Sequence, residues 1–167
     1  RNEILNIEAL SLLEKEFPCN SNSVEITAEK LDNLGELITI LENQKGKNDK
    51  TVINLKELYT IIEIRHMLLI KEKNEKCSTN SPIVLFFYSN DAECAESVER
   101  TSFILTHLKR NFPQTMIYSF DINLKSDLIK FMQQQYNLQK PYCQKTIINE
   151  KIEEIENSEQ AERIIFS

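Results

Sequence analysis

The first half of the chain has the spacing of apolar residues that is typical of α-helices. Residues 2–17 carry an apolar stripe that Pro18 should end. A second helix is predicted from an N-cap at Thr27 to a stop at Gly46. A third helix is predicted over 51–74, and its apolar residues lie on more than one face, so it needs cover on two sides. The stripe on the first helix consists of Ile4, Leu5, Leu12, Leu13 and Phe17.

The pattern changes after a polar connector that runs from Cys77 to Pro82. The apolar run Ile83–Tyr88 that follows is rich in β-branched and aromatic residues, as expected of a strand buried on both faces. The remaining predicted elements are a helix over 93–111, a strand over 116–121, a helix over 125–136, strands over 146–148 and 151–155 joined through Asn149-Glu150, and a short helix capped by Ser158. This β-α-β-α-β-β-α order predicts a mixed sheet with one parallel pair. We therefore predict an α/β protein with two domains, 1–76 and 82–167.

Composition and charge exclude several classes of protein. Hydrophobic residues make up 41% of the 167 residues, which is enough for a buried core. The formal net charge is −6 and is spread over both halves, so nucleic acid is not expected as a partner. Only two glycines occur, which removes the glycine-rich phosphate loops of nucleotide-binding proteins. No metal site and no cofactor are expected, since the two histidines and four cysteines lack the usual ligand spacings. No apolar run approaches the roughly 18 residues that a membrane span requires.

Three stretches in the second half resemble the thioredoxin-like family. The strand Ile83–Tyr88 runs into a loop that carries Cys94 at the start of the next helix. The run 117–121 resembles the family's following strand, which often ends in an aspartate. The stretch 136–141 resembles the segment that leads to the family's cis-proline. The resemblance covers residues 82–167.

The resemblance implies a fold and a binding surface. The fold would be a thioredoxin-like mixed β-sheet flanked by helices, here preceded by an N-terminal module of about three helices. The Lys140–Pro141 peptide bond would be cis, and Lys140, Pro141 and Tyr142 would form the substrate-binding loop. Cys94 and Ser97 would stand where the family has its catalytic pair.

The redox motif departs from the family pattern. It reads Cys94-Ala95-Glu96-Ser97 where the family has Cys-x-x-Cys. A cysteine at a helix N-terminus has a stabilised thiolate, but carboxylates at positions 91, 93, 96 and 99 oppose that effect. Ser97 cannot resolve a mixed disulfide as a second cysteine would. Cys94 alone could therefore form a mixed disulfide but could not reduce one efficiently. We expect it at the first turn of the helix and at least partly exposed.

The stretch after Pro141 also departs from the family. Four residues from Tyr142 to Lys145 precede the apolar strand residues, so either the strand begins at Tyr142 or the loop is longer than usual. Cys143 lies within this stretch. It is read as a structural strand cysteine, with the alternative that a Cys94–Cys143 pair restores dithiol chemistry by another route.

Two classes of function remain open. The favoured one is a redox-inactive module that binds a polypeptide partner, with the N-terminal helices as scaffold. The alternative is a monothiol protein that exchanges disulfides through Cys94, which would make it an oxidoreductase or isomerase-like enzyme. The apolar breadth of the third helix also leaves a homodimer contact open.

Cys19 and Cys77 bear on the cellular compartment. In an up-down-up bundle both cysteines lie at the same end, because each closely follows a helix. A disulfide there would persist in an oxidising compartment, whereas two free thiols would fit a cytosolic protein. The chain begins at Arg1 rather than at a methionine, so we expect a processed or trimmed product. An extracytoplasmic or membrane-anchored location of the full-length chain and a cytoplasmic one both stay open.

Overall fold

A computed structural model describes residues 2–17, 19–20 and 22–167. The chain separates into two units, Arg1–Asn80 and Ser81–Ser167. The expectations placed on Arg1 and Pro18 lie outside the described residues, as does the side chain of Ile4.

Helices make up the first unit. Its described part contains α1 (Asn2–Glu16), α2 (Ser23–Lys45) and α3 (Lys50–Lys76), and each helix contacts the other two. Asp49 is the N-cap of α3, and its carboxylate accepts hydrogen bonds from the backbone N–H groups of Thr51 and Val52. Leu31 and Ile62 form the centre of the core, with Leu10, Leu34, Leu58 and Tyr59 packed around them. Within the described residues, no helix is both long enough and apolar enough to cross a membrane.

The predicted start of α2 at Thr27 is wrong, because the helix begins four residues earlier at Ser23. The Thr27 hydroxyl donates to the backbone carbonyl of Ser23 at 2.7 Å, so it lies inside the helix and does not cap it. The Ser23 hydroxyl in turn donates to the carboxylate of Glu14 on α1. A contact between two helices therefore fixes the first turn of α2.

Four apolar residues of the α1 stripe lie at the surface. Leu5, Leu12, Leu13 and Phe17 are each more than half exposed, whereas Glu14 is fully buried. The side of α1 that packs inward thus carries a carboxylate with a hydrogen-bond partner on α2. Leu5, Leu12, Leu13 and Phe17 remain as an exposed apolar surface of this unit.

The second unit is built around a four-stranded mixed sheet. Its elements are β1 (Ile83–Tyr88), a 3₁₀ turn (Ala92–Cys94), α4 (Ala95–Asn111), β2 (Met116–Asp121), α5 (Asp127–Gln135), β3 (Gln144–Ile148), β4 (Lys151–Glu153) and α6 (Ser158–Ile165). The strand order is β2-β1-β3-β4. Strand β1 pairs with β2 in parallel and with β3 in antiparallel orientation. The predicted α/β class with a mixed sheet is confirmed.

Both faces of the central strand β1 are buried, as its apolar run predicted. Val84 and Phe86 pack into a cluster with residues of α4 and α6 on one face. Phe87 lies on the opposite face and pairs in register with Phe120 of β2, with 5.3 Å between the ring centroids. The end of β1 is therefore held in a fixed position by two packed layers.

The β3–β4 hairpin forms without glycine. Asn149 and Glu150 at its turn have positive φ angles of 49° and 74°, which is the geometry that tight hairpins need. Strand β3 begins at Gln144, between the two starts considered from the sequence, and it lies inside the sheet. Strand β4 ends at Glu153, two residues earlier than predicted.

Three helix starts in this unit also differ from the sequence prediction. The cap of α6 is Asn157 and not Ser158, because the Asn157 side chain accepts a hydrogen bond from the backbone N–H of Gln160. The α4 helix begins at Ala95 after a separate 3₁₀ turn, and α5 begins at Asp127 behind its cap Ser126.

Candidate functional site

A disulfide between Cys94 and Cys143 lies beside the end of β1. It joins the turn that opens α4 to the segment that opens β3, with 5.2 Å between the two Cα atoms. The backbone N–H of Ser89, just after β1, donates to the Cys143 carbonyl at 2.8 Å. The structure therefore has the Cys94–Cys143 pair that was the less favoured alternative from the sequence.

The expectation that Cys94 is partly exposed is wrong. Only 4% of Cys94 is exposed, although its neighbours Ala92 and Glu93 are at the surface. Cys94 closes a 3₁₀ turn in which its N–H donates to the Asp91 carbonyl at 3.0 Å, and the sulfur is bonded to Cys143. Ser97 lies half-buried in the first turn of α4. Cys94 thus offers no thiol for attack on a substrate.

The exposed residue at the head of this turn is Asp91, which the sequence reasoning did not select. Asp91 lies three residues before Cys94 and Ser97 lies three residues after it. A Cys-x-x-Cys spacing that includes Cys94 can therefore be counted forward, with Ser97 at its second position, or backward, with Asp91 at its first position. The forward count makes Cys94 the reactive position, and Cys94 is buried. The backward count puts the reactive position on an exposed residue at the N-cap of the turn. A carboxylate stands there and cannot attack a disulfide.

A polar network holds the loop after β1 against the loop after β2. The Asn90 side chain donates to the carboxylate of Asp121 at the end of β2. The backbone N–H of Asn123 donates to the same carboxylate at 2.9 Å, and the Asn123 amide donates to Asp91 at 3.2 Å. Because Asp121 is buried and bonded from both loops, the loops keep a fixed geometry.

The segment Lys140-Pro141-Tyr142, here called the proline loop, lies between α5 and β3. The Lys140–Pro141 bond is cis, as predicted. Pro141 is exposed, and the Lys140 ammonium lies 3.4 Å from the Ile122 carbonyl. The Tyr142 hydroxyl donates to the Gln133 side chain at 2.6 Å. Burial raises the pKa of Tyr142 to about 12, so the phenol stays protonated and keeps donating across the physiological pH range.

The second disulfide joins Cys19 and Cys77 within the helical unit. Their Cα atoms are 5.5 Å apart and the two residues are separated by 58 positions. The sequence left a disulfide and two free thiols open, and the structure has the disulfide. All four cysteines of the chain are therefore in disulfides. Among the residues that the structure describes, no cluster of three or more His, Cys, Asp or Glu side chains could hold a metal ion.

Asp91→Cys is expected to increase disulfide-reducing activity. The new thiol would be exposed at the N-terminus of a helical turn, where a pKa lowered by about one unit raises the thiolate fraction about tenfold. The rate of insulin reduction by dithiothreitol should then rise about tenfold above the uncatalysed rate.

Ser97→Cys is the matched control for that experiment. Its thiol would lie half-buried in the first turn of α4, so we expect a rate close to that of the unmodified protein. Equal rates for the two variants would contradict the assignment of the reactive position to residue 91.

Comparison with protein-family models, curated proteins and solved structures gives no match to this chain. The chemistry of the site must therefore be inferred from its own residues. These present a closed disulfide, a carboxylate at the exposed turn position and a proline loop held by hydrogen bonds. In this state the site presents no free thiol.

Proposed function

We propose that residues 82–167 form a thioredoxin-like domain that works as a redox-inactive, polypeptide-binding module, with residues 1–76 as its helical scaffold. The β-α-β-α-β-β-α order, the sheet order and the cis proline ahead of β3 support the thioredoxin-like assignment. The observation that carries the function is the state of Cys94, which is buried and bonded to Cys143. The exposed turn position has Asp91 in place of a nucleophile.

The proline loop supplies the binding surface in this proposal. Pro141 is exposed and the half-buried Tyr142 ring lies next to it, so the loop offers apolar area to an extended chain. Cys143 anchors the loop on one side through its disulfide and its bond from Ser89. A loop held in this way loses little conformational entropy on binding, which favours affinity.

Two disulfides in one chain of this size support an oxidising compartment, because such bonds are rare where glutathione and thioredoxin keep thiols reduced. The proposal therefore includes an extracytoplasmic location. It fits a structural use of both bridges, since neither has to open for the protein to bind a partner.

Disulfide exchange is the second candidate, and the partial exposure of Cys143 favours it. An external thiolate would attack the Cys143 sulfur, form a mixed disulfide and release the Cys94 thiolate. A second thiol on the attacking molecule would then resolve the mixed disulfide and leave both cysteines reduced. This candidate requires that the domain stay folded when the bridge is open.

Binding of a short, neutral, unstructured peptide that carries a fluorescent label tests the proposed function. We expect saturable binding, followed by fluorescence anisotropy, and about a tenfold loss of affinity in Tyr142→Ala because an aromatic contact is removed. Tyr142→Phe keeps the ring and should retain most of the affinity. This control shows whether the aromatic contact is responsible for the loss in Tyr142→Ala.

Tyr136→Ala is the matched control. Tyr136 is also half-buried with a pKa raised to about 12, by burial and by Glu150, but its hydroxyl bonds to Glu150 at the opposite end of β3. Its replacement should leave peptide affinity unchanged. Absence of binding to the unmodified protein, or equal losses in both alanine variants, would refute the proposed function.

A further inference from the structure

A cleft lined by lysines lies beside the proline loop. It has a volume of about 630 Å³ and is formed by the segment that follows β2, by α5 and by Lys140. Three of its lining residues are the lysines Lys125, Lys130 and Lys140, and all three are exposed. We call this feature the lysine cleft.

The charge of the lysine cleft is opposite to that of the protein. Its three lysines face one carboxylate, Asp127, so the lining carries a formal charge of +2 in a chain of net charge −6. Lys125 precedes the N-cap of α5, Lys130 lies in the first turn of that helix, and Lys140 approaches from the proline loop. Three elements thus bring positive charge to one concave surface.

The other walls of the cleft are apolar or carry amides. Ile122 and Leu138 are buried beneath it, and Leu124 is half-buried at its side. Gln133 and Gln134 contribute side-chain amides. A concave surface with apolar walls, amide groups and ammonium groups can hold a peptide that carries both carboxylates and aliphatic carbons.

We infer that the lysine cleft binds an acidic segment of the polypeptide that the proline loop contacts, with glutamate or aspartate side chains between the three lysines. The inference rests on the proposed function and names the chemistry of the partner. Lys140 belongs to both surfaces, so a chain that lies on Pro141 enters the cleft without a break. The lysines select partners by charge, and the proline loop supplies contact that does not depend on charge.

A nucleic acid is the other polyanion to consider, and the lining disfavours it. No aromatic ring lines this cleft, so it offers no platform on which bases could stack. The net charge of −6 also repels a phosphate backbone that extends beyond the cleft.

The test compares two labelled peptides of equal length, one neutral and one with glutamates in place of four neutral residues. The unmodified protein should bind the acidic peptide more tightly by about tenfold at about 0.05 M salt, and the difference should shrink at about 0.5 M salt because exposed charges are screened. In K125Q/K130Q the affinity for the acidic peptide should fall about tenfold, at about threefold for each lysine. Affinity for the neutral peptide should not change.

K47Q/K151Q is the matched control, since it removes the same charge at two exposed lysines outside the cleft. It should leave the acidic peptide's affinity within about twofold of that of the unmodified protein. Equal losses in the two double variants would mean that the affinity depends on the total number of lysines and not on the cleft, which overturns the inference.

Two further outcomes separate the inference from the proposed function. Equal affinity of the unmodified protein for both peptides overturns the lysine cleft but keeps the polypeptide-binding function. If neither peptide binds, the proposed function fails, and the inference fails with it. A single-stranded oligonucleotide of the same charge that binds as tightly as the acidic peptide would replace the polypeptide partner with a nucleic acid.

Discussion

Replacing Cys19 with serine is expected to lower the free energy of unfolding of the helical unit by about 4 kcal/mol. The Cys19–Cys77 bridge joins residues 58 positions apart, so it removes a large amount of conformational freedom from the unfolded chain. The buried carboxylate of Glu14 takes a place on α1 where a core helix ordinarily buries apolar area. The bridge is therefore a large part of the stability of this unit.

The loss of unfolding free energy can be measured by amide hydrogen exchange, with mass spectrometry of peptides from α2 and α3. The slowest amides should exchange about a thousandfold faster in Cys19→Ser, if they exchange through opening of the whole unit. Cys77→Ser and the double variant should show the same acceleration, since each removes the same single bond. A change below about 1 kcal/mol would show that packing alone holds the three helices together.

The strands of the second unit were predictable because each contains apolar, β-branched or aromatic residues in a short run. The predicted bounds of β1 and β2 match the structure residue for residue, since both are apolar runs between clear breaks at Pro82, Ser89 and Pro113. The hairpin was also predictable, although its turn lacks glycine, because asparagine tolerates a positive φ angle.

The helical unit was less predictable because a contact between helices decides its details. The pattern of α1 favours burial of Leu12 and Phe17, yet both are exposed while Glu14 is buried. Ser23 gives the Glu14 carboxylate its hydrogen bond, and the same residue moves the start of α2 away from Thr27. A hydrophobic pattern takes no account of a polar partner on another helix.

Only part of the candidate site could be found from the sequence. The position of Pro141 followed from the resemblance, but the burial of Cys94 depends on the 3₁₀ turn that the helical pattern did not distinguish from α4. Lys125 and Lys130 lie ten or more residues before Lys140, so only the fold brings them into one cleft. The signal available in the sequence was a concentration of lysines between residues 125 and 140 in an acidic chain.

Replacing Cys143 with serine should cost the α/β unit about 4 kcal/mol of unfolding free energy, because the Cys94–Cys143 bridge closes a segment of 49 positions. Cys94 would then remain as a buried thiol, which behaves as a small apolar side chain and adds little further cost. Hydrogen exchange in β1 and β3, the central strands of the sheet, measures the change.

Cys94→Ala and the double variant serve as controls for this replacement. Both should lose about as much stability as Cys143→Ser, since the same bond is missing in each. A cavity left at position 94 would add a small loss that the double variant shares with Cys94→Ala.

The size of this loss also decides between the two candidate functions. A bridge used in exchange must open and close while the domain stays folded, so its removal must cost clearly less than the free energy of unfolding, which is about 5–15 kcal/mol for a domain. A structural bridge has no such limit, and a loss near 4 kcal/mol brings a domain at the low end of that range close to unfolding. We therefore expect Cys143→Ser to weaken peptide binding by unfolding part of the population, and binding should recover when stabilising osmolytes refold it. If Cys143→Ser instead stays folded and keeps its peptide affinity, and Cys94→Ala forms a mixed disulfide through the partly exposed Cys143, thiol exchange is established as the function.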